Sequence, residues 1–332
     1  MDVNPIPAGK LPVELLTRLL ATLGPASAEV RLGPAVGEDA CAIEVAGGTL
    51  IAATDPITLT TSDLGRYAVI VNANDVAVSG VRPRWFLAAV LLPPGATEHL
   101  VEQLFATMRE ALVEVGATLV GGHTEVTSAV NQPVIVGQML GLAEDGRFVR
   151  TAGAAPGDII VQVGSVPIEG AAVLAAEAAD RLTALPPEVV AAARRALRDP
   201  GISVVDAAVA AHGLGATAMH DPTEGGLASG LHELALAAGV GIRVNRASVR
   251  WFEPGLAVCR ALGADPWATL ASGSLLATFP PATIADTQEK LSTFGRPVAV
   301  IGVTEPGVGV RDTTDAAIAW PERDEIARLL RS

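Results

Sequence analysis

Four short acidic segments in the first 125 residues constrain this chain more than any other feature of its sequence. Each lies where apolar sequence meets glycine or a predicted helix. The segments are Gly37-Glu38-Asp39-Ala40, Thr54-Asp55, Asn72-Ala73-Asn74-Asp75 and Gly121-Gly122-His123-Thr124-Glu125. Folding can bring such carboxylates around one hard cation, and the cluster would repel itself unless a metal, or a metal with polyphosphate, neutralised it. The pattern therefore points to Mg-nucleotide chemistry.

Length and charge set the outer bounds. A chain of 332 residues exceeds the usual size of a single core, so we expect two domains. There are 36 acidic and 23 basic residues, giving a net charge of −13, and the Lys and Arg residues do not cluster. We therefore expect no nucleic-acid face. No apolar run reaches the about 18 residues of a membrane span, so we expect no membrane insertion.

The N-terminus and the cysteines indicate a compartment. The opening MDVNPIPAGK has no basic segment followed by an apolar one, so we expect no secretory signal. Cys41 and Cys259 are the only cysteines and lie far apart in the sequence. That usage fits a reducing environment better than a disulfide scaffold. We expect a cytoplasmic protein.

Helix-like and strand-like patterns alternate along the chain. In the first half, the pattern predicts a helix opened by Pro12, a strand over 49–54 that delivers Asp55 at its end, helices over 64–79 and 97–115, and strands over 85–92, 117–120 and 133–142. The small, flexible block over 151–158 is followed by a new strand over 159–163. We therefore predict domains over 1–152 and 153–332.

Five motifs occur in a fixed order. They are GEDA, TD, a helical ND, GGxT and, in the second half, DPTxGGL. In that order they resemble the AIR synthase-related (PurM-like) superfamily, which includes aminoimidazole ribonucleotide synthetase, thiamine-monophosphate kinase, selenophosphate synthetase and the hydrogenase-maturation dehydratase HypE. The HypE family is the most similar, because the segment from Met219 to Leu227, followed by Glu233, and the element Ala8-Gly9-Lys10 look like its own motifs.

The resemblance implies a two-domain α+β or α/β protein. Strands of the N-terminal domain would pair with those of a second subunit into a β-barrel across a homodimer interface, and the C-terminal domain would be α/β. ATP would lie in a cleft between the domains. Members of the superfamily transfer the γ-phosphoryl group to an oxygen, either keeping it on the product or activating an amide or carbonyl oxygen for later loss.

The resemblance also implies roles for individual residues. Asp39, Asp55 and Asp75 would hold Mg²⁺, with Glu125 as a further carboxylate; alone, each is equally a helix cap or a surface carboxylate. The implied catalytic residues are Lys10, His123 and Asp221. The implied nucleotide-binding residues are Lys10, Gly37, Asp39, Asn74, Gly121, Gly122, Gly225 and Gly226. For Gly225 and Gly226 the alternative is a tight strand-to-helix connection.

Four departures from the HypE pattern limit the transfer of function. This sequence has no cysteine after Cys259, so we expect it to carry no carbamoyl group on a tail thiol. Ser272 lies where HypE usually has a glutamate, and Glu224 replaces an arginine. His123 stands where relatives have Asp or Glu, which leaves it either a functional residue or a hydrogen-bonding residue beside Glu125.

We therefore expect an ATP- and Mg-dependent homodimeric enzyme that phosphorylates an oxygen of a small substrate, or of a carbonyl or amide group. One alternative is a small-molecule kinase resembling thiamine-monophosphate kinase. The other is a non-catalytic nucleotide-binding protein that assembles with metallocofactor-maturation partners. The sequence does not identify the acceptor.

Overall fold

A six-stranded sheet organises the N-terminal half of the chain. The computed structural model describes residues 10–330. The strand order is β1-β2-β3-β6-β4-β5, and every neighbouring pair is antiparallel except β4 and β5, which are parallel. The strands are β1 (Val30–Leu32), β2 (Cys41–Val45), β3 (Gly48–Ile57), β4 (Pro83–Leu92), β5 (Thr118–Val126) and β6 (Val134–Ala143).

Three helices accompany this sheet: α1 (Val13–Leu20), α2 (Leu64–Ala77) and α3 (Glu98–Val115). All of α2 is buried, including its polar residues Asn72, Asn74 and Asp75. The ends of α3 follow from local chemistry. The Thr97 side chain accepts a hydrogen bond from the Leu100 N–H, and Gly116 closes the helix with a left-handed φ of 73°.

A second six-stranded sheet organises the C-terminal half, in the order β12-β9-β11-β7-β10-β8. Its pairs are antiparallel except β9 and β12. The strands are β7 (Ile159–Val163), β8 (Ala218–His220), β9 (Gly241–Val244), β10 (Leu275–Phe279), β11 (Val298–Glu305) and β12 (Val310–Asp312). The helices are α4 (Ile168–Glu177), α5 (Pro187–Arg195), α6 (Val205–Gly213), α7 (Gly226–Ala238), α8 (Glu253–Leu262), α9 (Ile284–Ser292) and α10 (Glu325–Leu330).

The first sheet does not close on itself. Among residues 10–330, β1 and β5 are its two edges, so a single chain contains no closed barrel. Every residue of β5 is exposed, including Leu119, Val120 and Val126. Within one chain the sheet is therefore open and has one exposed, partly apolar edge strand, and a barrel completed by a second subunit stays a prediction.

Two strand predictions were too short. β3 runs to Ile57, so Asp55 lies within the strand rather than at its end. β5 runs to Val126, so the segment Gly121 to Glu125 is extended strand. Ala8 and Gly9 of the predicted glycine-lysine element lie outside the described residues. Between residues 10 and 330, no helix combines the length and apolar character needed to cross a membrane.

Candidate active site between the two sheets

Four aspartates form the centre of the candidate site. Asp39 precedes β2, Asp55 lies on β3, Asp75 on α2, and Asp221 follows β8. Burial raises the pKa of Asp75 well above its ordinary value, and the charges of Asp55, Asp221 and Asp39 raise it further. Burial likewise raises the pKa of Asp55 to about 6. The chain thus brings carboxylates from both halves of the sequence close enough to repel one another.

Asp221 is the most unusual member of this group. It is 1% exposed, and neither of its carboxylate oxygens has a hydrogen-bond partner among the described residues. Burial raises its pKa well above the ordinary value, and the charges of Asp39 and Asp55 add to that effect. A buried carboxyl without partners is costly, so Asp221 fits a position that a ligand satisfies.

Asn72 positions Asp55. Its Oδ1 accepts a hydrogen bond from the Asp55 N–H at 2.8 Å, and its Nδ2 donates to the Asp55 carbonyl at 3.3 Å. The two bonds fix the backbone of β3 against α2. The acidic side chain of Asp55 is therefore presented by a rigid strand and helix pair, and the sequence analysis did not assign Asn72 this role.

A chain of charged hydrogen bonds links Asp39 to the N-terminal segment. His220 Nδ1 donates to Asp39 Oδ2 at 2.8 Å, and Nε2 donates to Glu233 Oε2 at 3.0 Å. Glu233 Oε1 in turn accepts from Lys10 Nζ at 3.2 Å. Lys10 is half-exposed, whereas His220 is buried. The predicted phosphate-reaching lysine is thus already held by a carboxylate.

The charges in this chain stabilise one another. Burial alone would lower the pKa of His220, but Asp39 and Glu233 outweigh it and hold the pKa well above 6.5, so the ring is an imidazolium. Burial would raise the pKa of Glu233, but His220 and Lys10 bring it down to about 2. The result is alternating charge from Lys10 to Asp39, which fixes the orientation of Asp39.

The first acidic segment has two further anchors. Gly37 has a φ of 84°, and a Cβ there would lie 2.7 Å from the Glu233 carbonyl, so only glycine allows this approach to α7. Glu38 accepts hydrogen bonds from the N–H groups of Thr151 and Ala152. Glu38 therefore ties this loop to the segment that joins the two sheets.

A cavity of about 340 Å³ opens beside the aspartates. Residues from both halves line it. They include Lys10, Asp55, Glu169, Thr223, Glu224 and Ser272. A volume of this order is at the small end of ligand pockets.

The turn at Gly225 and Gly226 does not offer free amides. The Gly225 N–H donates to Asp324 Oδ2 at 2.7 Å, and the Gly226 N–H donates to the Thr223 carbonyl at 3.0 Å. A Cβ on Gly226 would lie 2.5 Å from the Trp267 carbonyl. These glycines make a tight strand-to-helix connection, which was the alternative to the predicted phosphate-facing turn.

Asn74 is also engaged within the protein. Its Nδ2 donates to the Ile202 carbonyl and its Oδ1 accepts from the Val204 N–H, both at 2.9 Å. The side chain is fully buried and has no free amide group for a nucleotide. In this structure Asn74 joins α2 to the C-terminal half, and its expected nucleotide contact stays a prediction.

The structure does not bring the GGHTE segment to the aspartates within one chain. In register, Asp55 pairs with Gly137, Gly137 with Ala88, and Ala88 with Gly122. Three strand spacings correspond to about 14 Å. Gly121 and the predicted metal ligand Glu125 lie on the same edge strand as Gly122.

His123 forms a local pair at that edge. Its Nε2 lies 3.5 Å from Glu125 Oε2, and both side chains are largely exposed. Gly122 is required there by packing, because a Cβ would lie 2.1 Å from the Ala88 carbonyl. In one chain, His123 and Glu125 therefore form a separate surface feature.

Sequence reasoning missed Glu169. It is buried in the first turn of α4, and its Oε2 has no partner among the described residues. The available signal in the sequence was that Glu169 is the single acidic residue of the segment IEGAAVLAA, whose other residues are apolar or small. Acidic residues are common in the first turn of a helix, so the sequence alone gives Glu169 no special role. Only its burial beside the cavity is unusual.

The site offers oxygen donors of the kind that a magnesium ion takes. In the part of the chain from Lys10 to Leu330, no three Asp, Glu, His or Cys side chains already converge as a ready-made metal site. Mg²⁺ usually takes only one or two carboxylates together with substrate phosphates and water. The unpartnered oxygens of Asp221, next to three further aspartates, therefore fit a cation that arrives with a polyphosphate.

Sequence comparison identifies the family. The N-terminal domain of the AIR synthase related proteins matches residues 37–143, and their C-terminal domain matches residues 155–313. Carbamoyl dehydratase HypE of Rhodobacter capsulatus is 31% identical over 232 residues, covering 69% of this chain and 66% of that protein. A putative hydrogenase expression/formation protein of Methanocaldococcus jannaschii is 28% identical, covering 64% of this chain and 60% of that protein. The chain thus aligns with about two thirds of the length of these relatives.

Solved structures share the fold. HypE in a HypE–HypF complex superposes with a TM-score of 0.72 at 23% identity, covering 86% of this chain and 94% of that one. ThiL complexed with AMPPCP and TMP gives 0.72 at 21% identity, with 93% and 95% covered. HypE in complex with ATP gives 0.67 at 22% identity, with 97% and 98% covered. Two family domains in the expected order, together with the two-domain α/β fold, make this chain an enzyme of the AIR synthase related (PurM-like) family.

Proposed function

We propose that this protein is an ATP- and Mg-dependent enzyme that transfers the γ-phosphoryl group to an oxygen of a small substrate, activating a carbonyl or amide group. The carrying observation is Asp221, whose two buried oxygens have no partner in a cluster of four aspartates. A polyphosphate with its cation satisfies such a cluster, and a neutral ligand does not. The HypE structure in complex with ATP and the ThiL structure complexed with AMPPCP support a nucleotide on this fold.

Mg²⁺ would be held by Asp55, Asp75 and Asp221, with Asp39 oriented beside them. When bound, the ion neutralises phosphate charge during transfer. The protein's own contribution is orientation: Asn72 fixes the Asp55 backbone, and the His220 imidazolium fixes Asp39. Lys10 supplies the positive charge on the cavity wall, held in place by Glu233.

The metal assignment is tested by calorimetry. ATP is titrated into wild type and Asp221→Asn, once with Mg²⁺ and once with EDTA. We expect Asp221→Asn to weaken Mg-ATP binding about 100-fold while leaving the weak binding of metal-free ATP unchanged, because the lost charge matters only when the cation is present. The matched control is Asp286→Asn, a surface carboxylate on α9 paired with Lys290. Equal Mg-ATP affinity of wild type and Asp221→Asn would remove the proposed site.

A small-molecule kinase is the second candidate. Its support is the fold: the thiamine monophosphate kinase of Aquifex aeolicus superposes with a TM-score of 0.69, covering 92% of this chain. The products separate the two. A kinase yields ADP and a stable phosphorylated product in equal amounts, whereas activation of a carbonyl or amide yields ADP and free phosphate. Phosphorus NMR of the reaction with each candidate acceptor measures both. Nucleotide binding without ADP release for any acceptor would instead favour the accessory-protein function.

Assembly is part of the proposal. The exposed apolar residues Leu119, Val120 and Val126 on β5 support pairing with a second subunit into a homodimer, because a bare edge strand is otherwise a site of uncontrolled pairing. The HypE–HypF complex supports a partner protein in metallocofactor maturation. The expected assembly therefore contains a second copy of this chain, a partner protein and a small-molecule acceptor. The second copy would cover the GGHTE segment.

A further inference from the structure

The lining of the cavity carries two polar groups that the proposed phosphoryl transfer does not use. Glu169 Oε2 and Ser272 Oγ are both buried and both lack a hydrogen-bond partner among the described residues. Glu169 is 6% exposed and Ser272 is 1% exposed. Both line the cavity. Ser272 lies close enough to lower the pKa of Glu169 by hydrogen bonding, but no hydrogen bond within the usual distance and angle limits satisfies Glu169 Oε2, so a ligand that supplies hydrogen-bond donors would fill that deficit.

Local packing holds these groups in place. The Gly170 N–H donates to the Leu270 carbonyl at 2.8 Å, which fastens the start of α4 to the segment before Ser272. A Cβ on Gly170 would lie 2.4 Å from Thr269 Cγ2, so the approach requires glycine. Glu169 and Ser272 are therefore presented by rigid backbone. Their lack of partners is a feature of the fold rather than of loose side chains.

The charge of the cavity defines what can enter it. Asp55, Glu169 and Glu224 are acidic lining residues, and the single lysine, Lys10, is already paired with Glu233. The charge of Glu224 also raises the pKa of Lys10, so Glu224 shares that cation with Glu233, whereas Glu169 has no ion pair among the described residues. An anionic group would meet like charge from Glu169 and Glu224, so the lining favours a positively charged nitrogen.

We propose that this cavity is the acceptor-substrate pocket, and that it binds a small molecule through an ammonium, amidinium or guanidinium group held by Glu169 Oε2 and Glu224, with Ser272 Oγ as a further acceptor. The proposal rests on the proposed function, since it places the acceptor beside the phosphoryl-transfer site. It names a substrate class: cationic nitrogen compounds that also carry the oxygen to be phosphorylated.

The electrostatics around Glu169 agree with this assignment. Burial raises the pKa of Glu169 to about 7, Ser272 opposes the shift, and the nearby carboxylates Asp324 and Glu224 raise the pKa further. Tyr67 on α2 also lies close enough for the Glu169 charge to raise its own pKa, after the larger effect of burial. A cationic ligand would offset both the cost of burying the Glu169 charge and the repulsion of that charge by the nearby carboxylates.

The test measures binding of a simple probe without nucleotide or metal. Butylammonium and butyrate, of matched size and opposite charge, are titrated at pH 8 and constant ionic strength into the full chain, and binding is followed by ligand-observed NMR. We expect saturable millimolar binding of butylammonium and none of butyrate. Glu169→Gln should weaken butylammonium binding at least about 10-fold, and Asp286→Asn should leave it unchanged.

A second variant and a metal-binding control complete the test. Glu224→Gln, at a half-buried position that tolerates substitution, should weaken butylammonium binding as well, which covers a failure of Glu169→Gln to fold. Mg²⁺ alone should bind wild type and Glu169→Gln equally. Butyrate binding as tight as that of butylammonium, unchanged butylammonium binding in both variants, or loss of Mg²⁺ binding in Glu169→Gln would each overturn the proposal. Because the probe is measured without ATP, a wild type that binds butylammonium but not Mg-ATP would refute the proposed function alone.

Discussion

The aspartate cluster and the edge strand β5 were predicted as one site, and the structure places them apart. Asp55 and Asp75 lie on the adjacent elements β3 and α2, which Asn72 joins through two hydrogen bonds to the Asp55 backbone. His123 and Glu125 lie on an exposed strand three positions away across the sheet. The difference teaches that motif order establishes ancestry, whereas strand register decides which motif residues meet within one chain.

The largest expected effect contrasts the two histidines. His220→Gln should lower the free energy of unfolding by about 3–5 kcal/mol, because it removes the buried cation that Asp39 and Glu233 share. His123→Gln should change it by less than about 0.5 kcal/mol, because His123 is exposed. Urea denaturation of both variants measures the contrast. Similar losses for the two would contradict the picture of a buried chain and a separate surface pair.

The next effect contrasts the carboxylates. Asp75→Asn should weaken Mg-ATP binding about 100-fold, a loss of about 2.7 kcal/mol, because a cation-facing charge is removed. Glu125→Gln should leave the affinity of the isolated chain within about 2-fold. Calorimetry on both variants at one Mg²⁺ concentration is the measurement. An equal loss in Glu125→Gln would show that β5 reaches a nucleotide site after all, and repeating the titration at dilutions that separate subunits would tell whether a second chain brings it.

A smaller effect concerns association through β5. Val120→Lys should weaken dimerisation about 10-fold or more, because it places a charge on the apolar edge. Val308→Lys, at a more exposed valine between β11 and β12, is the control and should leave association unchanged. Light scattering across a dilution series measures the molecular mass in solution, which is 33.8 kDa for one chain. A wild type of that mass at micromolar concentration would count against the dimer.

The smallest effect is the pH dependence of stability. In the folded state burial raises the pKa of Asp55 to about 6 and those of Glu169 and Asp324 to about 7. A raised folded-state pKa means that the folded protein holds protons that the unfolded chain has released. These groups therefore stabilise the fold least above pH 7, and stability should increase by on the order of 1 kcal/mol per group as the pH falls from 8.5 to 5.5.

The raised pKa of His220 acts in the same direction, because the folded state keeps the imidazolium proton as the pH rises. Glu233 acts in the opposite direction, because its pKa in the folded state is lowered from 4.5 to about 2. Its contribution to stability is therefore lost only as the pH falls below about 4.5. Denaturant midpoints across the pH range test the slope. Glu169→Gln should flatten it, and stability that instead declines steadily from pH 8.5 to 5.5 would show that these carboxyls are ionised and satisfied.

Much of the fold was predictable because its signals are local. The helix over 64–79 and the strand over 159–163 appear as α2 and β7, since apolar runs bounded by glycine, proline or polar caps determine such elements. Asp39, Asp55, Asp75 and Asp221 were all named from motifs, and the charges of the other three raise the pKa of Asp75; their metal and catalytic roles stay predictions. The roles of Asn74 and Gly225 were not predictable, because they depend on partners 128 and 99 residues away in sequence. Glu169 escaped notice since only its burial distinguishes it from a helix-start carboxylate.

The bond between Asp324 and the Gly225 amide has a practical consequence for protein engineering. Asp324 directly precedes α10, six residues before the end of that helix at Leu330, yet it anchors the turn that follows Asp221. A truncation that removes Asp324 would leave a buried amide without an acceptor inside the site. Purification tags, fusions and crystallisation variants should therefore keep the sequence through α10, because editing the far end of the chain would alter the turn beside its reactive centre.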